Sequence, residues 1–171
     1  MATKAMGGHM TGNHEAAHAN EGMGHYSKFA IMIGVSFIAM YFFMFAMISS
    51  SANFYHNINM VYMAGLMAAP MAIIEILLMS KMYPNKKTNA AIIIGSVLLL
   101  GICWGAIRNQ VGVGDKEFVR SMIPHHSGAI LMCNESKIQD AELKDLCANI
   151  VKSQDDEIEK MKGIYARLNA Q

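Results

Sequence analysis

Two adjacent imidazoles, His125 and His126, stand in the run SMIPHHSGAILMC (residues 121–133), among methionine, isoleucine and alanine. Met122, Met132 and Cys133 lie in the same run, and Glu157 and Met161 follow further along the chain. Imidazole nitrogen and thioether sulfur together suit copper: methionine favours Cu(I), and histidine serves either oxidation state. Zinc more usually recruits thiolate or carboxylate beside histidine. The candidate ligands are therefore Met122, His125, His126 and Met161, with Met132 and Glu157 as further members. A plainer reading of the same residues is polar or hydrogen-bonded histidines among packing methionines. Methionine is in excess overall, 17 of 171 residues, although a flexible thioether ordinarily serves as occasional filler in cores.

Other donors lie upstream. The first 28 residues carry Met6, His9, Met10, His14, His18, Met23 and His25, a biased tract that would capture metal loosely or play no ordered role. Met60, Met63, Met67 and Met71 recur at helical spacing, with Glu75 close to the same stripe and Met40, Met44 and Met47 in the preceding apolar run. Thioethers at this spacing read either as core packing or as the lining of an ion path. An ionisable group inside an apolar stretch, as Glu75 is, is a functional candidate by default.

The elements that must position these groups follow from composition. The chain is 53% hydrophobic and 16% charged, a balance that points away from a water-surrounded globule. A net charge of +1 without a long basic run provides no footprint for nucleic acid. Residues 1–28 are polar and glycine-rich, and the expectation is a disordered tail. Residues 29–48, 58–79 and 90–107 are apolar runs of the length a helix needs to cross a bilayer, so 29–107 reads as three transmembrane helices. Lys81, Lys86 and Lys87 fall between the second and third runs, whereas the loop between the first and second has no lysine or arginine. The lysine loop, and with it the N-terminus, is expected on the cytoplasmic side of a bacterial plasma membrane. Residues beyond 107 are then expected in the periplasm or outside the cell.

Residues 108–115 form a glycine-rich linker, and 116–171 turn charged and amphipathic. Leu143, Cys147, Ile150, Gln154, Ile158, Met161, Tyr165 and Leu168 follow spacings of three and four, marking one face of a helix. The segment before it also reads helical, although Pro124 removes a backbone donor and frees a carbonyl near Arg120. A polar break around Asp140 turns the chain back, so the expected fold is all-α, three membrane helices followed by an antiparallel helical hairpin. Cys133 and Cys147 lie seven residues on either side of Asp140, which makes a disulfide natural; buried unpaired thiols are the alternative. In this register His126 is expected opposite Gln154, and Met122 opposite Ile158.

The runs FVRSMIPHHSGAILM and LCANIVKSQDDEIEKM resemble the domain-of-unknown-function family 305. The matching residues are Met122, Ile123, His125 and His126, then Gln154, Glu157, Ile158 and Met161. The resemblance covers roughly the last third of the chain. It implies a ferritin-like helical bundle and, for members with an assigned role, binding of copper or silver in metal resistance through Met and His side chains. Soluble members carry two such helix pairs. This chain carries one, so a homodimer is expected to complete the bundle, or the hairpin packs alone on the membrane domain. The leading functional expectation is a membrane-anchored copper or silver binding protein for sequestration or transfer, with no catalytic step required. A copper-dependent oxidoreductase is the second class, and a structural membrane protein with an oligomerising hairpin the third.

Overall fold

A computed structural model describes the backbone over residues 11–170 and the side chains over 24–170. The described residues form five α-helices and no strand: α1 (Thr11–Phe43), α2 (Ile58–Leu78), α3 (Lys86–Arg108), α4 (Asp115–Glu135) and α5 (Ala141–Asn169). Single 3-10 turns at Met44–Met47, Ser51–Asn53 and Ser80–Met82 fill the connections. Helices α2, α3 and α5 start on polar side-chain caps. Asn57, Asn85 and Asp140 each accept a backbone N–H of the turn that follows, at 3.0 Å (Met60), 3.0 Å (Lys87) and 2.8 Å (Leu143).

Segments Gly24–Met47, Ile58–Leu78 and Lys86–Arg108 are long and apolar enough to cross a membrane. The first departs from the sequence reading in its start, since α1 begins at Thr11, upstream of the apolar run expected from residue 29. Once an apolar stretch has nucleated a helix, each added residue costs little, and the Ala and Glu residues upstream of Phe29 are good helix formers. His9, Met6 and Met10 lie outside the described residues, as do the side chains of His14, His18 and Met23; the His25 side chain is half-buried.

The three long helices meet through small residues. Ala64, Gly65, Ala68, Ala69 and Ala72 of α2 are buried, and small side chains let helix backbones approach closely. Gly65 is the tightest point: a Cβ there would lie 2.8 Å from the Cys103 sulfur of α3. Gly65→Ala is expected to lower stability by about 1–3 kcal/mol, with most of the loss relieved in a Cys103→Ala background. Thermal unfolding in detergent checks this; an equal loss in both backgrounds would remove the steric explanation. In the methionine stripe of α2, Met63 and Met67 are 38% and 46% exposed. Met60 and Met71 are half-buried, and the small residues take the buried face of α2.

At the lysine-loop end, Phe29, Ala72, Ile76 and Tyr83 form a buried cluster. Glu75, in the last turn of α2, accepts a hydrogen bond from the Tyr83 hydroxyl at 3.1 Å. Burial, and then this bond, push the Tyr83 phenol above its ordinary range. Glu75 thus has a partner and stands apart from the α4–α5 region.

The connection after α3 is a tight turn in which Gln110 (φ 50°) and Gly112 (φ 73°) take left-handed backbone, a conformation that suits glycine. Beyond it, α4 and α5 pack through Val119, Ile123, Ile130 and Ile158, with Tyr55, Val151, Met161, Ile164 and Tyr165 around them. Cys133 and Cys147 are joined as a disulfide, Cα atoms 5.3 Å apart. On the α5 stripe Ile158 is buried, but Leu143 is 44% exposed, since it precedes the disulfide and projects past the end of the seam.

Candidate metal centre

Two faces of α4 are occupied. Val119, Ile123, His126 and Ile130 recur at spacings of four, three and four and turn toward α5. Glu117, Arg120, Ser121, Pro124 and Ser127 lie around the helix from them, and most of these bond to residues 49–59 of the connection between α1 and α2. His126 is 8% exposed. Its Nδ1 lies 2.9 Å from the Met122 carbonyl and its Nε2 2.7 Å from Glu157 Oε2. Glu157 is more open, with its side chain 51% exposed, and its other oxygen accepts from the Ser153 hydroxyl at 3.3 Å.

Both partners of the ring are acceptors. At 2.7 Å Nε2 and the carboxylate share a hydrogen bond; a cation held by both would replace that proton and require the pair to move apart. The Met122 carbonyl meanwhile fixes the ring plane, as an outer partner does for a ligating histidine.

The other expected ligands are placed unevenly. Met122 and Met161 are half-buried, and Met161 packs against the core containing Ile158. His125 is exposed, its ring centroid 6.1 Å from that of His126. Met132 is 57% exposed and lies six residues further along α4, beside the disulfide, about 9 Å of helix rise from His126. The partner of His126 is Glu157 rather than Gln154. Helical side chains lean toward their own N-terminus, so His126 reaches toward the level of Ile123, where α5 presents residues near Ile158. Among the described residues, no three His, Cys, Asp or Glu side chains converge. A metal at this seam would meet His126 as nitrogen donor, Glu157 as oxygen donor and, for sulfur, thioethers.

Sequence reasoning missed the support behind α4. Ser127 is fully buried, and its hydroxyl oxygen accepts from Ser49 N at 2.8 Å and Asn53 Nδ2 at 3.1 Å, with Ser49 Oγ 2.9 Å away. The only hint was an asparagine- and serine-rich stretch, SSSANFYHNIN, between two apolar runs. The same stretch carries the exposed His56, whose Nδ1 meets the Tyr41 hydroxyl at 2.8 Å among the rings of Phe42, Phe45 and Phe54.

The family model described as "Domain of unknown function (DUF305)" matches residues 106–168, which span α4 and nearly all of α5. The chain is also similar to an uncharacterized protein of Acanthamoeba polyphaga mimivirus, 31% identical over 141 residues, covering 81% of this chain and 91% of the relative. A match of that length has to extend well into the apolar helices, so the similarity is not confined to the α4–α5 unit. No solved structure matches. The MIPHH and QDDEIEKM elements, the helices that carry them and the extent of these matches together establish that the chain belongs to the DUF305 family.

Proposed function

We propose that this chain is a membrane-anchored binding protein for copper or silver, holding the ion at the α4–α5 seam for sequestration or transfer. The observation that carries the reading is the buried His126, whose Nε2 is aimed at Glu157 at 2.7 Å on a seam that also bears Met161, with the half-buried Met122 one turn earlier on α4. His126 and the two thioethers are the primary ligands, Glu157 supplies an anionic oxygen, and His125 is an outer donor. This set suits a soft monovalent ion, for which imidazole and thioether are favourable and few carboxylates are needed.

Three helices of bilayer-spanning length support anchorage in a plasma membrane, and the lysines between α2 and α3 favour a cytoplasmic N-terminus with α4 and α5 on the opposite side. An oxidising compartment there is consistent with the Cys133–Cys147 pair. The α4–α5 unit is half of a ferritin-like bundle, and Phe118, Met132, Leu143 and Leu146 remain 44–57% exposed on it; a second copy of the chain covering them completes four helices.

The test is titration of the full chain in detergent micelles with Cu(I), Ag(I), Cu(II) and Zn(II). Tight binding of Cu(I) and Ag(I), with Zn(II) weaker, is the expected result. No binding, or binding that prefers Zn(II), would overturn the reading.

A further inference from the structure

Pro124 lies one residue before the histidine pair, within α4. It has no N–H, so the carbonyl of Arg120, four residues back, loses its intrahelical donor, and the proline ring forces the helix open on that face. The face that opens is the one turned toward residues 49–59; the opposite one carries His126. An unpaired carbonyl there needs a donor from elsewhere.

The donor present is Asn57. This residue is 4% exposed, and each side-chain atom is committed. Its Oδ1 accepts the Met60 N–H at 3.0 Å and caps α2, while Nδ2 donates to Tyr55 O at 3.1 Å and reaches Arg120 O at 3.5 Å. Flanking bonds hold the same face of α4 in register: Ile58 N donates to Glu117 Oε2 at 3.1 Å, and Asn59 Nδ2 to Ser121 Oγ at 3.2 Å. The Ser127 hydroxyl is pinned one residue beyond His126.

We infer that Asn57 is a positioning residue for the His126–Glu157 pair: its amide takes up the carbonyl that Pro124 releases and so sets how α4 presents His126 to α5. The inference rests on the metal-site reading for its affinity consequence only. The geometric part concerns His126 whether or not an ion is bound. Asn57 touches no ligand atom itself, and its effect passes through the backbone of the first two turns of α4. It also joins the α4–α5 site to the start of α2, so the site is built partly by the membrane-side loop.

Asn57→Asp still caps Met60 N but has no N–H for Arg120 O or Tyr55 O; the Arg120 part is read from comparison with the Pro124→Ala background, since the Tyr55 bond is lost in both. Pro124→Ala restores a backbone donor to the same carbonyl and removes the need for Asn57. The experiment uses the full chain in detergent, with Ag(I) as probe and the imidazole nitrogen NMR shifts of His126 recorded without metal. Asn57→Asp is expected to move the His126 shifts and weaken Ag(I) binding by up to about tenfold, the lower end of what misorienting a ligating histidine costs. In the Pro124→Ala background the same substitution is expected to leave the shifts in place and change affinity less than about twofold. Equal effects in both backgrounds, or unmoved shifts in the first, would overturn the positioning role. If the unmodified chain bound no Ag(I), the metal reading alone would fail, and the His126 shifts would still decide the role of Asn57.

Discussion

Replacing His126 with alanine is expected to weaken Cu(I) or Ag(I) binding by about 100-fold, equivalent to roughly 3 kcal/mol, while helical content is retained. The substitution removes the one buried nitrogen donor of the seam. It strands no charge in the interior, because the Glu157 side chain it leaves is 51% exposed and can be solvated. His125→Ala serves as the internal comparison: with an exposed ring 6.1 Å from that of His126, it is expected to cost several-fold less. Metal competition titrations on the two variants in the full chain decide the assignment. Equal losses would make the histidines interchangeable surface donors, and undiminished affinity in His126→Ala would remove the seam as the site.

The second large effect concerns the staple at the far end of the same seam. A Cys133→Ser, Cys147→Ser chain is expected to lose about 3 kcal/mol of stability in the α4–α5 unit, the chain-entropy value for closing a loop of this length; the two cysteines are 14 residues apart. The loss is expected to be local. Helix α5 is held chiefly by α4, with the Tyr55–Tyr165 ring contact at 5.5 Å as a link to the membrane-side loop, whereas α1, α2 and α3 pack on one another. Hydrogen exchange should therefore show faster exchange along α5 and little change in α2. Metal affinity should fall with it, since Glu157 and Met161 both ride on α5. Unchanged exchange in α5 on reduction or double substitution would mean that Val119, Ile123, Ile130 and Ile158 hold the pair unaided.

The order of elements was legible because it depends on local pattern. Three apolar runs of bilayer length, a lysine-bearing loop and two amphipathic segments about Asp140 need no knowledge of distant contacts, and Cys133 and Cys147 sit symmetrically about that turn. The carbonyl freed by Pro124 was likewise predictable, since the loss of a donor is a property of one residue. His126, buried against Glu157, was also among the residues marked by their side-chain chemistry.

What only the tertiary structure decided was direction and partnership. His126 meets Glu157 instead of Gln154 because helical side chains lean along their own axes, a shift of nearly one turn that a register counted on Cα positions misses. Met63 and Met67 of α2 are left exposed while Ala64, Gly65, Ala68, Ala69 and Ala72 are buried because the small residues allow the closer backbone approach, a choice between stripes of one helix that periodicity cannot rank. Asn57 acquires its role from a carbonyl 63 positions away in the chain. Spacing specifies which residues share a face; only packing determines what that face meets.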